Sequence, residues 1–192
     1  MKRALFLDRD GVIVELLFKK GPKEIARRPE EVRLVSGIAS LIKGVRDGNE
    51  DWMVIVISNQ PDVAKGKASY QDVIATMGEM QKQLTNLGAP VDEIYFCPHH
   101  PDPVKVVNKE YLQVCECRKP KPGLLLRASK DYDIDLSNSW MIGDLLTDVE
   151  VGKRAGCKTI LFDRNPTSTS IPTDFMGTQC PDYIITGFSN TG

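Results

Sequence analysis

The chain has 192 residues, 41% of them hydrophobic and 27% charged, with a formal net charge of −1. That length fits one domain, 1–192, with room for a small insert and a real core. The near-neutral balance lacks the basic surplus that drives binding to nucleic acid or anionic lipid. No apolar run approaches the roughly 20 residues of a membrane-spanning helix. A cytoplasmic monomer with neither a nucleic-acid nor a membrane partner is the expectation.

Ala4–Leu7 is a short apolar run ending at Asp8, and its lack of polar alternation predicts a strand buried on both faces. Val35 to about Arg46 carries Val35, Ile38, Leu41, Ile42 and Val45 at helical spacing. Met53–Ile57 reads as a second strand, ending at Ser58. Ser69–Leu87 is a second helix, with Gly88 suited to end it. Ile94–Phe96 is a third strand, and the polar stretch Pro98–Gln113 that follows is too long for a tight connection. Gly123–Asp131 and Asp148–Ala155 are helices on either side of a strand at Trp140–Ile142, which runs into Gly143-Asp144. Thr159–Phe162 and Tyr183–Ile185 are the last strands, separated by a loop at Asn165–Pro181.

Strands alternating with helices predict an α/β fold: three layers, with a mostly parallel sheet between helices. Ligands of such sheets sit beyond the C-terminal ends of the strands. Asp8, Ser58 and Asp144 all stand at those ends, so residues far apart in sequence are predicted to share one rim.

Asp8 and Asp10 form an Asp-x-Asp pair directly after a buried strand. One carboxylate of such a pair can attack phosphorus, and the second can protonate the leaving oxygen and then take a proton from water. Both suit a hard cation such as Mg²⁺. Each feature alone has a plainer reading: Asp favours turns, Ser58-Asn59 suits a helix cap, and Gly143-Asp144 suits a strand-ending turn.

The chain has five cysteines, of which Cys97, Cys115 and Cys117 crowd together with His99 and His100. In extended backbone, residues i and i+2 point the same way. Cys97 with His99 and Cys115 with Cys117 can therefore offer two ligands each to one Zn²⁺, a closed structural site on a loop insert at about 97–117. His100 is the alternative fourth ligand, and three free thiols are the alternative to any metal.

Four motifs in order make the chain resemble the haloacid dehalogenase (HAD) superfamily of phosphohydrolases: Asp8-Arg9-Asp10-Gly11-Val12-Ile13, Ser58-Asn59-Gln60, Lys119 within Cys117–Gly123, and Gly143-Asp144-Leu145-Leu146-Thr147-Asp148. The resemblance implies a HAD-like fold without a large cap domain, acting on a small phosphorylated metabolite. It implies Asp8 as nucleophile, Asp10 as general acid/base, Ser58 as a hydrogen-bonding partner of the phosphoryl group and Lys119 as its counter-charge, with Lys121 a rival for that role. Asp8, Asp10 (through its carbonyl) and Asp144 would hold Mg²⁺, and Gly11, Asn59 and Arg118 would contact substrate.

The C-x-H…C-x-C-R-K-P pattern is similar to the branch that contains heptose-bisphosphate and histidinol-phosphate phosphatases, and its long gap favours the heptose side. Pro61, Asp62 and Leu145 depart from that branch at substrate-facing positions. Lys19, Lys20, Lys23, Arg27 and Arg28 could meet a second phosphate or form a solvated loop. Loops at 14–29, 61–68 and 98–116 are expected to frame the site.

Overall fold

The computed structural model describes residues 1–17, 24–48, 51–164 and 180–188. Its frame is a six-stranded sheet built from β1 (Arg3–Leu7), β2 (Trp52–Asn59), β3 (Glu93–Cys97), β4 (Trp140–Gly143), β5 (Lys158–Phe162) and β6 (Tyr183–Ile185). The spatial order is β3-β2-β1-β4-β5-β6, and every neighbouring pair is parallel. The chain winds outward from β1 to β3, then returns to the other side of β1 at β4. The sheet's switch point therefore falls between β1 and β4, where crevices open in such sheets.

The connecting helices are α1 (Ile38–Asp47), α2 (Tyr70–Asn86), α3 (Gly123–Tyr132) and α4 (Leu146–Ala155). Strand side chains alternate between two cores. Leu5, Leu7, Val54 and Val56 face Ile38 and Ile42 of α1 and Val73, Met77, Met80 and Leu84 of α2. Ala4, Phe6, Met53, Ile55 and Ile57 face Leu124, Leu125 and Ala128 of α3 and Val151 of α4. This is the expected three-layer arrangement, and it explains why β1 and β2 read as unbroken apolar runs: both faces are covered. Among the described residues, turns, isolated β-bridges such as Leu17–Glu24 and a short 3-10 segment at Pro29–Glu31 connect Asp8 to α1, and turns connect β2 to α2, so no cap helix among them stands over the strand ends.

Helix ends follow local chemistry more closely than apolar spacing. α1 begins at Ile38 rather than Val35, because Gly37 ahead of it has a φ of 82°, off the helical path. α2 opens on a capping box: Asp72 N donates to Ser69 Oγ (3.0 Å), and Ser69 N donates to Asp72 Oδ2 (2.8 Å). α4 starts two residues before the predicted Asp148, whose carboxylate accepts from Leu145 N (3.1 Å). Most of the loop expected at Asn165–Pro181 lies outside the described residues, as do Lys19, Lys20 and Lys23.

Gly152 lets α4 sit close on the sheet. A Cβ there would lie 2.5 Å from Thr159 Cγ2 and 2.9 Å from Met141 Cβ. Gly152→Ala is expected to lower stability by about 1–2 kcal/mol despite the better helix propensity of alanine, because overpacking exceeds that gain. A lower urea midpoint at unchanged m-value is the expected observation.

Candidate active site and metal centres

Asp8 leaves the end of β1, and its own N–H donates to Ile142 O of β4 (2.9 Å), which fixes the backbone at the switch point. The loop after it turns back at once: Val14 N donates to Arg9 O (2.8 Å), and Gly11 N to Val14 O (2.8 Å). Val12, Ile13 and Val14 are fully buried, so this loop is moored in the core. Gly11 sits at φ 97°, where a Cβ would also collide with the Asp144 carboxylate. Glycine thus lets the two aspartate-bearing loops approach.

Lys119 joins the pieces. Its buried ammonium is ion-paired with Asp8 Oδ1 (2.8 Å) and Asp148 Oδ1 (2.6 Å) and donates to Ile57 O (3.1 Å). Burial opposes the charge, but Asp148 and Asp8 outweigh it and hold the pKa above the usual lysine value. The backbone of Lys119 is gripped by Asn59, whose amide accepts from Lys119 N (3.0 Å) and donates to Lys119 O (3.2 Å). Lys121, the rival for this place, pairs instead with Glu116 at 2.8 Å.

Asp10 lies beside this cluster. Gln60 Nε2 donates to Asp10 Oδ2 (2.6 Å) and to Ser58 Oγ (2.9 Å). Burial foremost, and the charge of Asp8, push the Asp10 pKa up against the opposing charge of Arg9. A carboxyl raised in this way keeps a proton to give. Arg9 itself is fully buried, with Nη1 3.6 Å from Asp10 and Nη2 donating to Ala26 O (3.0 Å).

Asp8, Asp144 and Asp148 bring carboxylate oxygens within 4.8 Å of one another. Burial, followed by the charges of Asp8 and Asp148, raises the Asp144 pKa to about 7. Asp144 Oδ1 is buried without a hydrogen-bond partner among the described residues. A crowded carboxylate set with an unpartnered buried oxygen fits a hard divalent cation. Asp148 joins this cluster in place of the Asp10 side chain; its Oδ1 is ion-paired with Lys119 and its Oδ2 accepts from Leu145 N. Sequence reading left Asp148 and Gln60 out of the site, although both lie inside the quoted motifs. The spacing of Asp148 four residues from Asp144, and of Gln60 two from Ser58, is the signal that was present.

The predicted rim is a cavity of about 490 Å³. Asp8, Asp10, Asn59, Arg118, Lys119 and Asp144 line it, together with residues of the loops at 14–29 and 61–68. Two predicted residues do not. Ser58 is fully buried with its hydroxyl engaged by Gln60, and Gly11 lies against Asp144. The loop at 98–116, expected to frame the cavity, contributes no wall residue of its own. It acts at one remove: Arg118 Nη1 donates to His99 O (3.1 Å), which ties a cavity cation to that loop.

Cys97, His99, Cys115 and Cys117 converge as the i, i+2 spacing predicted. Cys117 Sγ is 3.2 Å from both other sulfurs and 3.3 Å from His99 Nδ1, and Cys97 Sγ is 3.6 Å from Cys115 Sγ and from His99 Nδ1. A tetrahedral ion with bonds of about 2.0–2.3 Å sets its ligand atoms about 3.5 Å apart, so the donor set fits one zinc-sized ion. Burial and the neighbouring Cys117 push the Cys97 thiol up, and burial lowers the His99 pKa, which keeps the imidazole neutral as a ligand must be. His100 is not in the set, and its Nδ1 accepts from Asp102 N (3.1 Å).

A family model described as HAD-hydrolase-like matches residues 116–190. A D-glycero-D-manno-heptose-1,7-bisphosphate 7-phosphatase from Thermosynechococcus vestitus is 33% identical over 182 residues, 94% of this chain and 89% of that one. A D-glycero-beta-D-manno-heptose-1,7-bisphosphate 7-phosphatase from Rhodopseudomonas palustris is 38% identical over 160 residues, 83% of each chain. The crystal structure of a D,D-heptose 1,7-bisphosphate phosphatase from B. bronchiseptica, complexed with magnesium and phosphate, superposes with a TM-score of 0.69 at 30% identity, covering 83% of this chain and 80% of that one. A parallel sheet that gathers Asp8, Lys119 and Asp144 at its switch point thus has relatives matching it along most of its length, and the chain belongs to the heptose-1,7-bisphosphate 7-phosphatase family of HAD-like phosphatases.

Proposed function

We propose that this enzyme is a Mg²⁺-dependent phosphomonoesterase that removes the 7-phosphate of D-glycero-D-manno-heptose 1,7-bisphosphate by way of an aspartyl-phosphate on Asp8. The observation that carries the reading is the pairing of Asp8, 2.8 Å from the Lys119 ammonium, with Asp10, whose burial favours the protonated form. The Asp8 carboxylate attacks phosphorus as the bond from phosphorus to the sugar oxygen breaks, and Asp10 gives its proton to that oxygen. Asp10 then takes a proton from water as the water attacks the acyl phosphate, which releases inorganic phosphate and restores both aspartates. Lys119 offsets charge on the transferring group, and Arg118 faces it from the rim. Ser58 acts through Gln60, which orients Asp10.

Asp8 and Asp144 are the residues that would hold Mg²⁺, with the Asp10 carbonyl; bound there, the ion supplies counter-charge to the phosphoryl group. Cys97, His99, Cys115 and Cys117 would hold a structural Zn²⁺ that keeps the 97–117 insert, and with it Arg118, in place. The reading takes the chain as a single-domain monomer in a reducing compartment, where thiolates stay available to zinc.

Asp8→Asn is expected to lower phosphate release at least a thousandfold, since loss of a nucleophile removes the covalent route. The decisive assay compares both anomers of heptose 1,7-bisphosphate with histidinol phosphate and other sugar phosphates. A preference for histidinol phosphate would overturn the substrate assignment.

Mg²⁺ at about a hundred times its Kd is expected to stabilise the wild type by about 2.7 kcal/mol, seen as a higher thermal midpoint. The same addition should leave Asp144→Asn unmoved. Elemental analysis is expected to find about one zinc per chain. Cys117→Ser should lose that zinc and open the 98–116 loop to limited proteolysis.

A further inference from the structure

Arg27 is a cavity residue with an elaborate mounting. The backbone that carries it is anchored on both sides. Ala26, 2% exposed, gives its carbonyl to the buried Arg9 Nη2 (3.0 Å), and Arg27 N donates to Glu31 Oε2 (3.0 Å). The guanidinium is then held by two carboxylates: Nε donates to Asp62 Oδ2 (2.7 Å), and Nη1 donates to Glu24 Oε2 (2.9 Å). Asp62 is itself rigid. It is 6% exposed, and its carbonyl accepts from Lys67 N (2.9 Å) and Ala68 N (3.3 Å), so the turn that follows β2 sets its position. A guanidinium has five N–H donors, and these two bonds leave three, one on Nη1 and two on Nη2.

The rest of that wall is cationic. Lys65, Lys67 and Arg118 line the same cavity, and none of them forms an ion pair with a carboxylate among the described residues. Burial, together with repulsion from Lys67, Arg118 and Lys105, lowers the Lys65 pKa, while Asp62 opposes that fall. Four cations therefore stand against two wall carboxylates, Glu24 and Asp62, both already spent on Arg27. The imbalance on this wall suits an anion.

We infer that Arg27 binds the second anionic group of the substrate and that Asp62 is its positioning residue, so that this pair sets selectivity for a doubly over a singly phosphorylated sugar. The inference rests on the phosphatase reading above. A free arginine on a loop loses rotamer freedom when it grips a ligand, and a guanidinium already fixed by a nearly buried carboxylate does not. Asp62 also brings a negative charge near the bound anion. Its two effects have opposite signs, and that makes the assignment testable.

The test compares kcat/KM for heptose 1,7-bisphosphate and heptose 7-phosphate in the wild type, Arg27→Gln, Asp62→Asn and the double variant. Arg27→Gln is expected to cut the preference for the bisphosphate about tenfold to a hundredfold, mainly through KM, as loss of a charged hydrogen bond implies. Asp62→Asn should cut it by a smaller factor in the same direction. The double variant should lose no more than Arg27→Gln alone, because Asp62 acts through Arg27. Arg27→Lys, which keeps the charge, guards against misfolding of the glutamine variant and should retain part of the preference. An unchanged preference in Arg27→Gln, a preference that rises in Asp62→Asn, or fully additive losses would overturn the inference. A wild type with no preference for the bisphosphate would instead overturn the functional reading beneath it.

Discussion

The Lys119 ammonium, buried between Asp8 and Asp148, is the interaction on which the rest of the site depends. It ties the end of β1, the first turn of α4 and the backbone of β2 to one point. Two unit charges 4 Å apart attract by about 4 kcal/mol at the effective dielectric of a protein, and these contacts are closer. Taking each ion out of water costs several kcal/mol, so the cluster adds little net stability. Its asymmetry matters more. Removing Lys119 would leave two buried carboxylates facing each other beside Asp144, at a cost of about 3–5 kcal/mol. The cluster is therefore held together by the penalty of breaking it rather than by the gain of making it.

That constraint is met because the sheet is parallel and wound from its middle. β1 and β4 are neighbours, so Asp8 and Asp144 emerge side by side although more than half the chain lies between them. β2 on the other flank brings Ser58, Asn59 and Gln60 to the same edge. Asn59 then does for Lys119 what a neighbouring strand would do, accepting from its N–H and donating to its carbonyl. A residue from a loop is thereby held as firmly as one from the sheet, which a charge meant to sit within hydrogen-bond distance of a nucleophile requires.

The frame was legible because both faces of the central strands are buried and because Gly and Asp mark the strand ends. All six strands and four helices appear where the apolar runs predicted them, with ends displaced by caps such as Gly37 and Asp148. The four zinc-type ligands were legible for a similarly local reason, since i, i+2 geometry depends on little else. Asp148 and Gln60 were harder to see. Each acts on a residue already assigned, Asp148 on Lys119 and Gln60 on Asp10, and such second partners become visible only when loops meet. Ser58 shows the converse. Motif position aimed it at the phosphoryl group, while packing buried it beneath Gln60.

The same logic of one charge fixing another recurs outward from Lys119. Arg9 lies fully buried between the Asp10 loop and Ala26, and through Ala26 it steadies the segment that carries Arg27. Arg118 is steadied from the opposite side by the carbonyl of His99, itself one of the four convergent ligands. Each cation facing the cavity by this route is therefore mounted on something rigid: a buried guanidinium, a nearly buried Asp62, or a ligand cluster. Long cationic side chains on loops would otherwise sample many rotamers, and freezing one on a ligand costs roughly 0.5–1.5 kcal/mol. Mounting them in advance moves that cost from binding to folding. The parallel sheet can bear it, because both of its faces are covered and the loop that carries Asp10 adds Val12, Ile13 and Val14 to the core.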